Sequence, residues 1–585
     1  MITNFPLLNN IGSPSDLRRL PQSLLPQLAS ELRQSLLETM NFCGGHLSAN
    51  LGCAELTIAL HYVFNTPQDR LIWDTGHQTY FHKILTGRKN LLHTIRQHGG
   101  LAPFPSRTES IFDCFGVGHC STSLSAATGI SLAKQLAEEK DKIIAIIGDG
   151  ALTSGMAFEA LNYLAECKAN LLIILNDNQF SISPTVGGLA KYAILFEKMN
   201  FKYVGPIDGH HLPTLIKAFH AAKKISGPYV IHISTQKGKG FLPAEKNPIK
   251  YHAVKSGFQQ ELAIATLNET QKITYSQILG DWLCNKAAED SRLIALTPGM
   301  SEGSGLNNFA KKYPQRFIDV GVAEQHCVTL AAGLAVEGYK PIVAIYSTFL
   351  QRAYDQVIHD IALQKLPVIF AIDRAGIVGL DGPTHGGFFD LSYLRCIPHL
   401  IVMAPADNQE YLKMLNASFA LHQPSAIRYS RDPASQNELQ NNAKNIQIGK
   451  ATILRSGQRI ALLAFGSMVS SAVQVAQQIN ATVINMRFIK PLDEEIIRWA
   501  STHHDLLVTI EENVIKGGAG SAINEYLMEK NIFKSVLNLG LPDQFIEHGA
   551  TQDLLKKYGL NVEGILSSIK NRITTHSLLS MEKLT

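Results

Sequence analysis

Charge and long apolar runs are both scarce in this sequence. Charged residues make up 17% of the 585 positions and the formal net charge is only +4, whereas an average soluble domain has roughly 25% charged residues. A balance this weak and evenly spread does not favour a nucleic-acid or membrane-surface partner. The longest apolar stretches, such as Ile143–Ile147 and Leu171–Leu175, are strand-length. They fall far short of the ~18 residues that a membrane span needs.

Paired cysteines and a secretion signal are also missing. None of the 8 cysteines stands in a CxxC pair, which argues against a structural zinc site, and a disulfide framework is implausible in a chain this long. The N-terminal region carries Asp16, Glu31 and Glu38 and lacks an apolar segment followed by a small-residue cleavage site. We therefore expect no signal or transit peptide, and a cytoplasmic protein.

What the sequence does contain is an alternation of buried strands and amphipathic helices. The Ile143–Ile147 run is followed by apolar residues at helical spacing over 157–164 and then by the Leu171–Leu175 run, which is a βαβ pattern. Near-continuous apolar strands predict parallel sheets covered on both faces. Polar breaks at 268–272 and 432–445, the second typical of a linker, divide the chain. We predict an α/β protein of three domains, 1–265, 266–435 and 446–585, each a mainly parallel sheet flanked by helices.

The later part of the chain repeats this alternation. We predict helices over His326–Val336 and Leu350–Leu363. The predicted strands are Ile342–Tyr346, Pro367–Ile372, Leu400–Met403, Ala426–Tyr429, Ile460–Phe465, Thr482–Phe488 and Leu506–Ile510.

Polar clusters follow two neighbouring predicted strands. Gly148-Asp149-Gly150 ends the first strand and Asn176-Asp177-Asn178 ends the next. Because ligands gather at the carboxyl ends of parallel strands, both clusters should face one crevice. Oxygen ligands from Asp149 and Asn178 suit Mg²⁺, and the glycines let the backbone approach a diphosphate. A GDG turn alone is weak evidence, but the two clusters together predict a diphosphate and magnesium site.

Longer strings make the pattern specific. Besides GDGA at 148–151 and NDN at 176–178, the sequence has GHQ at 76–78, GH at 118–119, AEQH at 323–326, YSTFLQRAYD at 346–355, DRAGIVG at 373–379, DGPTH at 381–385, RFIKPLD at 487–493 and LPD at 541–543. Together they resemble the 1-deoxy-D-xylulose-5-phosphate synthase family of thiamine-diphosphate enzymes, over nearly the whole chain from about Leu20 to Gly564.

The resemblance implies a transketolase-like fold of three domains and a transferase activity. Such an enzyme decarboxylates pyruvate and joins the two-carbon unit to D-glyceraldehyde 3-phosphate, which gives 1-deoxy-D-xylulose 5-phosphate and CO₂. This reaction opens the methylerythritol phosphate route to isoprenoids and also feeds thiamine synthesis. The resemblance further implies thiamine diphosphate and Mg²⁺ as cofactors and a homodimer. We expect the third domain to support the dimer rather than the chemistry.

The resemblance also assigns roles to individual residues. Glu324 corresponds to the carboxylate that contacts the pyrimidine N1′ of the cofactor, although a carboxylate at a helix start could simply favour the helix dipole. The other implied cofactor contacts are His77, Gly118, His119, Cys120, Gly150, Ala151, Asn178 and Phe241, and the implied metal ligands are Asp149, Asn178 and Phe180.

The remaining implied residues serve the substrates. His46 and His385 correspond to positions where the substrate carbonyls react, and Asp381 would orient His385 or a substrate hydroxyl. The implied substrate contacts are Tyr346, Arg352, Arg374, Arg431 and His252. Arginine suits a sugar phosphate because its planar guanidinium forms a fork with phosphate oxygens. Lys237 and Lys239 lack P-loop spacing, and we assign them no role.

The sequence departs from the family pattern at four places. Phe241 stands where a tyrosine is common, Cys120 replaces a serine, and Ser430-Arg431-Asp432 replaces a Pro-Arg-Gly turn. The stretch from Ser183 to Tyr203 is much shorter than the family's, which puts gating of the site in question. Two alternatives stay open: a related carboligase or transketolase with other substrates, and a non-catalytic paralogue that acts as a binding subunit.

Overall fold

Three mainly parallel β-sheets with helices on their faces form the protein in the computed structural model, which describes residues 5–167, 169–180, 192–263, 273–431 and 446–582. The described residues pack into two compact units. One lies within Met1–Glu269 and Gly321–Ala323, and the other within Thr270–Val320 and Glu324–Thr585. The linker predicted at 432–445, the break at 268–272 and part of the short stretch 183–203 lie outside the described residues. Within the described part of the chain, no helix is both long and apolar enough to span a bilayer.

The first unit contains one parallel sheet and a small antiparallel pair. Its strands are β1 (Gly45–His46), β2 (Arg70–Trp73), β3 (Ile143–Gly148), β4 (Leu171–Asp177), β5 (Lys202–Asp208), β6 (Tyr229–Ser234) and β7 (Ala253–Val254). The sheet order is β2-β3-β4-β6-β5, with every pair parallel, and β1 pairs antiparallel with β7. The α-helices are Pro14–Leu17, Leu25–Cys43, Ser48–Leu51, Ala54–Val63, Tyr80–Lys83, Ser123–Leu136, Asp149–Leu152, Gly155–Cys167, Tyr192–Lys198, Leu212–Lys223, Leu242–Lys246 and Phe258–Ala263.

The second unit contains the other two sheets. Its strands are β8 (Leu293–Thr297), β9 (Phe317–Asp319), β10 (Lys340–Tyr346), β11 (Ile369–Asp373), β12 (Ile401–Met403), β13 (Ser425–Arg428), β14 (Thr452–Arg455), β15 (Ile460–Ala464), β16 (Thr482–Asn485), β17 (Phe488–Lys490), β18 (Leu506–Val514) and β19 (Ser535–Leu541). The seven-stranded sheet runs β17-β12-β13-β11-β10-β8-β9 and the five-stranded sheet β14-β16-β15-β18-β19. Only β14 and β17 among these described strands run antiparallel to their neighbours.

The helices of the second unit connect these strands. They are Tyr275–Glu289, Asn307–Lys312, Glu324–Val336, Ser347–Leu350, Tyr354–Gln356, Asp390–Arg395, Asn408–Ala420, Met468–Ile479, Glu494–His503, Ala519–Glu529, Thr551–Lys557 and Val562–Glu582. Several begin at side-chain caps. Thr274 and Gln277 form a reciprocal capping box, and Asp407 accepts the backbone N–H of Glu410, so that N–H groups left open by the helix find acceptors.

Alternate residues of the central strands face different cores, which confirms the prediction of sheets covered on both faces. In β3, Ile144 and Ile146 join one apolar cluster of the first unit, whereas Ile143 and Ile147 join another. Successive side chains of a strand point to opposite faces. The α/β class and the three mainly parallel sheets are therefore confirmed, while the division into three domains stays a prediction.

Two predicted elements are wrong. The strand predicted over Thr482–Phe488 is two strands in two different sheets, because Arg487 adopts φ +61° and turns the chain between them. The helix predicted over Leu350–Leu363 is divided into short 3₁₀, α and π segments, because Ala353 has the non-helical angles φ −117° and ψ 25°. Neither interruption can be recognised from the spacing of apolar residues alone.

Candidate active site

The ends of β3 and β4 bring the two polar clusters of the first unit to one sheet edge. Gly148 and Asn176 are register partners, so Asp149 and Asn178 follow from neighbouring strand ends, as the sequence predicted. The Asp149 side chain is buried, with 1% exposure. Asn178 accepts the backbone N–H of Phe180 through Oδ1 at 3.2 Å.

A buried cation that the sequence analysis missed lies near Asp149. Lys237 is 6% exposed, and burial lowers the pKa of its ammonium to about 8 against the opposing attraction of the Asp149 carboxylate. A buried lysine beside a carboxylate at a strand end suits an anionic ligand such as a diphosphate. The glycines around Lys237 were the available signal, but the lack of P-loop spacing hid it.

This edge of the sheet fits Mg²⁺ and a diphosphate by donor chemistry. Within the described residues, no group of three or more His, Cys, Asp or Glu side chains is arranged to hold a metal. A cation at Asp149 would therefore take one carboxylate and complete its shell with amide, carbonyl and diphosphate oxygens. Such a hard, oxygen-rich shell is what Mg²⁺ takes in sites shared with phosphates.

The loop that carries Gly118, His119 and Cys120 is fixed by a buried carboxylate. Asp74, at the end of β2, accepts the backbone N–H groups of Ser121 and Ser123 at 2.6 and 3.1 Å. The Ser121 hydroxyl donates to the carbonyl of Ala151 at 2.6 Å. Ser121 has φ +69°, a costly conformation for a non-glycine residue. These bonds join the loop to the turn that holds Gly150 and Ala151.

Three predicted histidines form one cluster in the first unit. The ring of His46 lies 5.9 Å from that of His77 and 5.6 Å from that of His252, and the last two are 5.3 Å apart. Asn50 holds two of them, because its Nδ2 donates to the carbonyls of His46 and His77 at 2.9 and 2.8 Å. Phe104 packs on His46 at 5.6 Å.

Phe241 lies in an aromatic group. Its ring packs edge-on against Tyr251 at 5.7 Å and Phe258 at 6.1 Å. The position therefore contributes packing that does not depend on a hydroxyl. Cys120, another departure from the family pattern, is 9% exposed and belongs to an apolar cluster.

In the second unit, Glu324 and Arg352 form an ion pair. Glu324 begins the helix Glu324–Val336 and is 2% exposed, and Arg352 Nε lies 3.1 Å from its Oε2. Burial raises the pKa of Glu324, and Arg352 opposes that rise. Glu324 is therefore a buried carboxyl group with a raised pKa beside an arginine.

Arg374 and Tyr346 stack at the ends of β11 and β10. The guanidinium carbon of Arg374 lies 3.8 Å from the Tyr346 ring centroid. The Tyr346 ring stacks on Phe349 at 5.9 Å, and Phe349 meets His385 edge-on at 5.5 Å. The structure thus joins three predicted residues through Phe349, which the sequence analysis did not single out.

Charged groups surround this stack. Burial raises the pKa of Tyr346, and the charges that act on it are Arg374, Asp373, Arg431 and Asp381. Arg431 is exposed, whereas Asp381 is 7% exposed at the start of the turn Gly382–Thr384. Arg374 has φ +58°, and its backbone N–H donates to Asp373 Oδ1 at 2.6 Å.

Comparisons with known proteins agree over most of the chain. A family model described as 1-deoxy-D-xylulose-5-phosphate synthase matches residues 8–194 and 190–235. The transketolase pyrimidine-binding and C-terminal domain models match residues 271–435 and 449–565. The first match runs in two pieces that meet at 190–194, inside the stretch that the sequence marks as short.

Curated relatives show the family. The 1-deoxy-D-xylulose-5-phosphate synthase of Thioalkalivibrio sulfidiphilus is 51% identical, with 97% of this chain and 96% of that protein covered. The one of Nitrosomonas europaea is 52% identical, with 97% and 100% covered. A solved transketolase from Campylobacter jejuni is 20% identical over 94% of this chain and 100% of that chain, with a TM-score of 0.44. The chain belongs to the 1-deoxy-D-xylulose-5-phosphate synthase family.

Proposed function

We propose that this chain joins pyruvate and D-glyceraldehyde 3-phosphate to give 1-deoxy-D-xylulose 5-phosphate and CO₂, with thiamine diphosphate and Mg²⁺. Its product would serve isoprenoid and thiamine synthesis. The structural observation that carries the proposal is the buried Glu324, held by Arg352 at a helix start. The full-length similarity to curated synthases supports the choice of substrates.

Glu324 would set the protonation of the cofactor. When bound, the cofactor would supply a thiazolium carbon that is nucleophilic once its proton is lost and a positive ring that serves as the electron sink. Glu324 would share a proton with the pyrimidine N1′. This contact favours the 4′-imino tautomer, whose imino group can accept the proton of the thiazolium carbon. Arg352 would keep the Glu324 carboxylate oriented while the proton is shared.

The residues of the first unit would hold the diphosphate end of the cofactor. Asp149, Asn178 and the backbone carbonyl of Phe180 would ligate Mg²⁺, and Lys237 would pair with diphosphate oxygens. The other contacts proposed for the cofactor are His77, Gly118, His119, Cys120, Gly150, Ala151 and Phe241. Family membership implies thiamine diphosphate, whereas these assignments to single residues are our proposal.

The substrates would take the remaining residues. His46 and His252 would act at the donor carbonyl, where a histidine cluster can donate hydrogen bonds and move protons near neutral pH. His385, oriented by Asp381, would act at the acceptor aldehyde, with Tyr346 and Arg352 nearby. Arg374 and Arg431 would bind the acceptor phosphate, because charge-assisted forks from guanidinium to phosphate are strong and directional.

The first experiment tests the reaction itself. Incubation with pyruvate, glyceraldehyde 3-phosphate, Mg²⁺ and cofactor should release CO₂ and form the pentulose phosphate. A ketose phosphate in place of pyruvate should give no product. Turnover of the ketose phosphate would favour the transketolase alternative, and no turnover of either donor would favour the non-catalytic paralogue.

The second experiment tests the phosphate contact. Arg374→Ala should raise the half-saturation concentration of glyceraldehyde 3-phosphate about tenfold or more, because a charge-assisted hydrogen bond contributes roughly 1.5–3 kcal/mol. Pyruvate and unphosphorylated glyceraldehyde should respond as they do with the parent. Arg316→Ala is the matched control, since Arg316 also stacks on a tyrosine, Tyr313, at 4.3 Å. Equal losses for both acceptors would make Arg374 structural.

We also infer that two copies of the chain associate. Large apolar side chains stay exposed at the end of the helix Glu324–Val336 and just after the π-helical segment Val357–Ala362 that packs against it, with Val336 at 62% and Leu363 at 69% exposure. Exposed apolar groups of this size are typical of interfaces. Sedimentation at micromolar concentration should give twice the chain mass of 64.2 kDa, and a monomer would refute the inference.

A further inference from the structure

A buried carboxylate in the C-terminal sheet contacts the loop that follows β11. Glu512 lies in β18 and is 3% exposed. Its Oε1 accepts the backbone N–H of Ile377 at 2.6 Å, and its Oε2 accepts the hydroxyl of Ser467 at 2.6 Å. Glu512 and Ile377 are 135 residues apart along the chain. The carboxylate therefore links an element near the C-terminal end of the sequence to the loop of Arg374.

That loop carries three residues proposed for the acceptor. It is closed by a pair of backbone bonds, since Gly376 donates to the carbonyl of Gly387 at 2.8 Å and accepts from its N–H at 2.9 Å. Arg374 precedes this closure, and Asp381 and His385 lie inside it. Ile377, the residue that Glu512 binds, is the first residue inside the closed loop.

The fit between Glu512 and the base of the loop is tight. Gly376 has φ +80°, and a Cβ there would lie 2.4 Å from Oε1 of Glu512. The absence of a side chain therefore lets the backbone approach the carboxylate. This close contact sets the distance between the loop backbone at Gly376 and strand β18.

The residues next to Glu512 in β18 bind the chain just after the closed loop. The Val514 N–H donates to the carbonyl of Phe388 at 2.9 Å, and Asn513 Oδ1 accepts the N–H of Leu391 at 3.2 Å. Arg428 Nη2 donates to the Glu512 carbonyl at 3.1 Å. One stretch of β18 thus binds Ile377 at the start of the closed loop and the chain just after its end, at Phe388 and Leu391.

We propose that Glu512 is a positioning residue for the acceptor side of the reaction. It holds the loop that presents Arg374, Asp381 and His385, and it does so from a sheet that contributes none of the proposed reacting groups. The Glu512 oxygen fixes the position of the Ile377 N–H at 2.6 Å, because a buried donor left without an acceptor costs its desolvation free energy. Displacements of about 1 Å from distant substitutions can cost roughly 10²-fold in rate. The inference rests on the proposed function.

Glu511 provides a matched control on the same strand. It is 0% exposed, and its two oxygens accept the N–H groups of Ala519 and Gly520, both at 2.8 Å. It therefore holds the start of the helix Ala519–Glu529 and not the loop. Substitution of either glutamate disturbs a buried carboxylate in β18, but only Glu512 contacts the loop.

The experiment compares Glu512→Ala, Glu512→Asp, Glu512→Gln and Glu511→Gln in the full chain. Glu512→Ala should raise KM for glyceraldehyde 3-phosphate about tenfold or more and leave the dissociation constant of the cofactor unchanged. Glu512→Asp should act in the same direction, since its shorter side chain cannot reach both Ile377 and Ser467. Glu512→Gln should recover most of the loss, because its amide keeps an oxygen for the Ile377 N–H. Glu511→Gln should lower the melting temperature without changing that KM.

A second measurement is independent of activity. Hydrogen exchange of peptides covering 376–387 should accelerate in Glu512→Ala and Glu512→Asp and match the parent in Glu511→Gln. Unchanged exchange would overturn the proposal whatever the activity, and faster exchange with an unchanged acceptor KM would overturn it too. If the parent failed to turn over pyruvate and glyceraldehyde 3-phosphate, the proposed function would fail, whereas the exchange measurement would still decide whether Glu512 holds the loop.

Discussion

The pair of Glu324 and Arg352 places a buried carboxylate against a guanidinium at the start of a helix. Burial raises the pKa of Glu324, because surroundings of low polarity disfavour the charged form. Arg352, whose side chain is 15% exposed, opposes that rise. This arrangement is the basis of the proton sharing that we propose between Glu324 and a ring nitrogen of the cofactor.

The first prediction concerns this residue. Glu324→Gln should reduce turnover about 10²–10⁴-fold, the range for loss of a positioned acid–base group, because an amide cannot share a proton with a ring nitrogen. Product formation and C2-proton exchange of the bound cofactor measure the effect, and circular dichroism checks the fold. Glu337→Gln, at an exposed position just after the same helix, is the control. Unchanged C2-proton exchange would rule out the role of Glu324.

At the residue scale, the sequence predicted the side chains whose position follows from strand ends. Asp149 and Asn178 could be placed because register fixes the ends of neighbouring parallel strands. Lys237 and Glu512 could not be placed in this way. Their partners, Asp149 and Ile377, are distant along the chain, and only tertiary packing brings them together.

At the scale of elements, buried strands were easier to predict than turns. β3 and β4 could be predicted from continuous runs of apolar residues, mainly Ile and Leu, because a strand buried on both faces needs apolar side chains at every position. The break between β16 and β17 depends on Arg487, whose backbone N–H donates to Asn485 and whose guanidinium binds Glu410. A positive φ supported by such contacts has no signature in apolar spacing, so the sequence suggested one continuous strand.

A buried histidine pair joins two helices of the first unit. His61, in the helix Ala54–Val63, contacts Thr66 at 2.9 Å through Nδ1 and His82 at 3.0 Å through Nε2. His82 in turn contacts Asp113 Oδ1 at 3.0 Å. Each bond is satisfied when both rings are neutral, with Thr66 donating at one end and Asp113 accepting at the other. Burial lowers the pKa of both histidines.

The second prediction is a loss of stability in acid at these helices. In the unfolded chain each histidine takes up a proton below its ordinary pKa of about 6.5, whereas in the fold it stays neutral. The unfolded state therefore binds more protons, and stability falls as the pH drops below about 6.5. The loss approaches about 1.4 kcal/mol per pH unit for each ring that stays neutral.

Hydrogen exchange measures this effect locally. Peptides covering Ala54–Val63 and Tyr80–Lys83, corrected for intrinsic exchange rates, should be less protected at pH 5.5 than at pH 7.5. Peptides from the helix Tyr275–Glu289, which has no histidine, serve as the internal reference. Equal protection at both pH values would contradict the prediction, because it would show that the pair binds as many protons in the fold as in the unfolded chain.

At the scale of the whole molecule, cofactor binding and stability are coupled. A ligand that binds only the folded state stabilises it by about 2.7 kcal/mol at 100 times its Kd. If Asp149 ligates Mg²⁺, then the melting temperature should rise most when cofactor and Mg²⁺ are added together. Removal of Mg²⁺ with a chelator should reverse most of that rise.

The third prediction follows from this coupling. Asp149→Asn should lose most of the Mg²⁺-dependent rise in melting temperature, and calorimetry should show weaker cofactor binding. The melting temperature without ligand is subtracted first, because the substitution also removes the charge that faces the buried Lys237. Asp141→Asn, which loses a partly exposed partner of Lys134, should keep the full rise. Equal cofactor affinity in Asp149→Asn and the parent would contradict the magnesium site.

Strand β17 holds two parts of the second unit together. β17 follows residues 432–445 in the chain, whereas its antiparallel partner β12 precedes them. Lys490 of β17 also donates through Nζ to the carbonyl of Arg395, at 3.0 Å. The parts of the chain on either side of 432–445 therefore share a sheet. A protease cut engineered between Arg431 and Ile446 should leave two fragments that migrate as one particle in a native gel. They should separate only in denaturant, because backbone hydrogen bonds and not the intervening peptide hold them together.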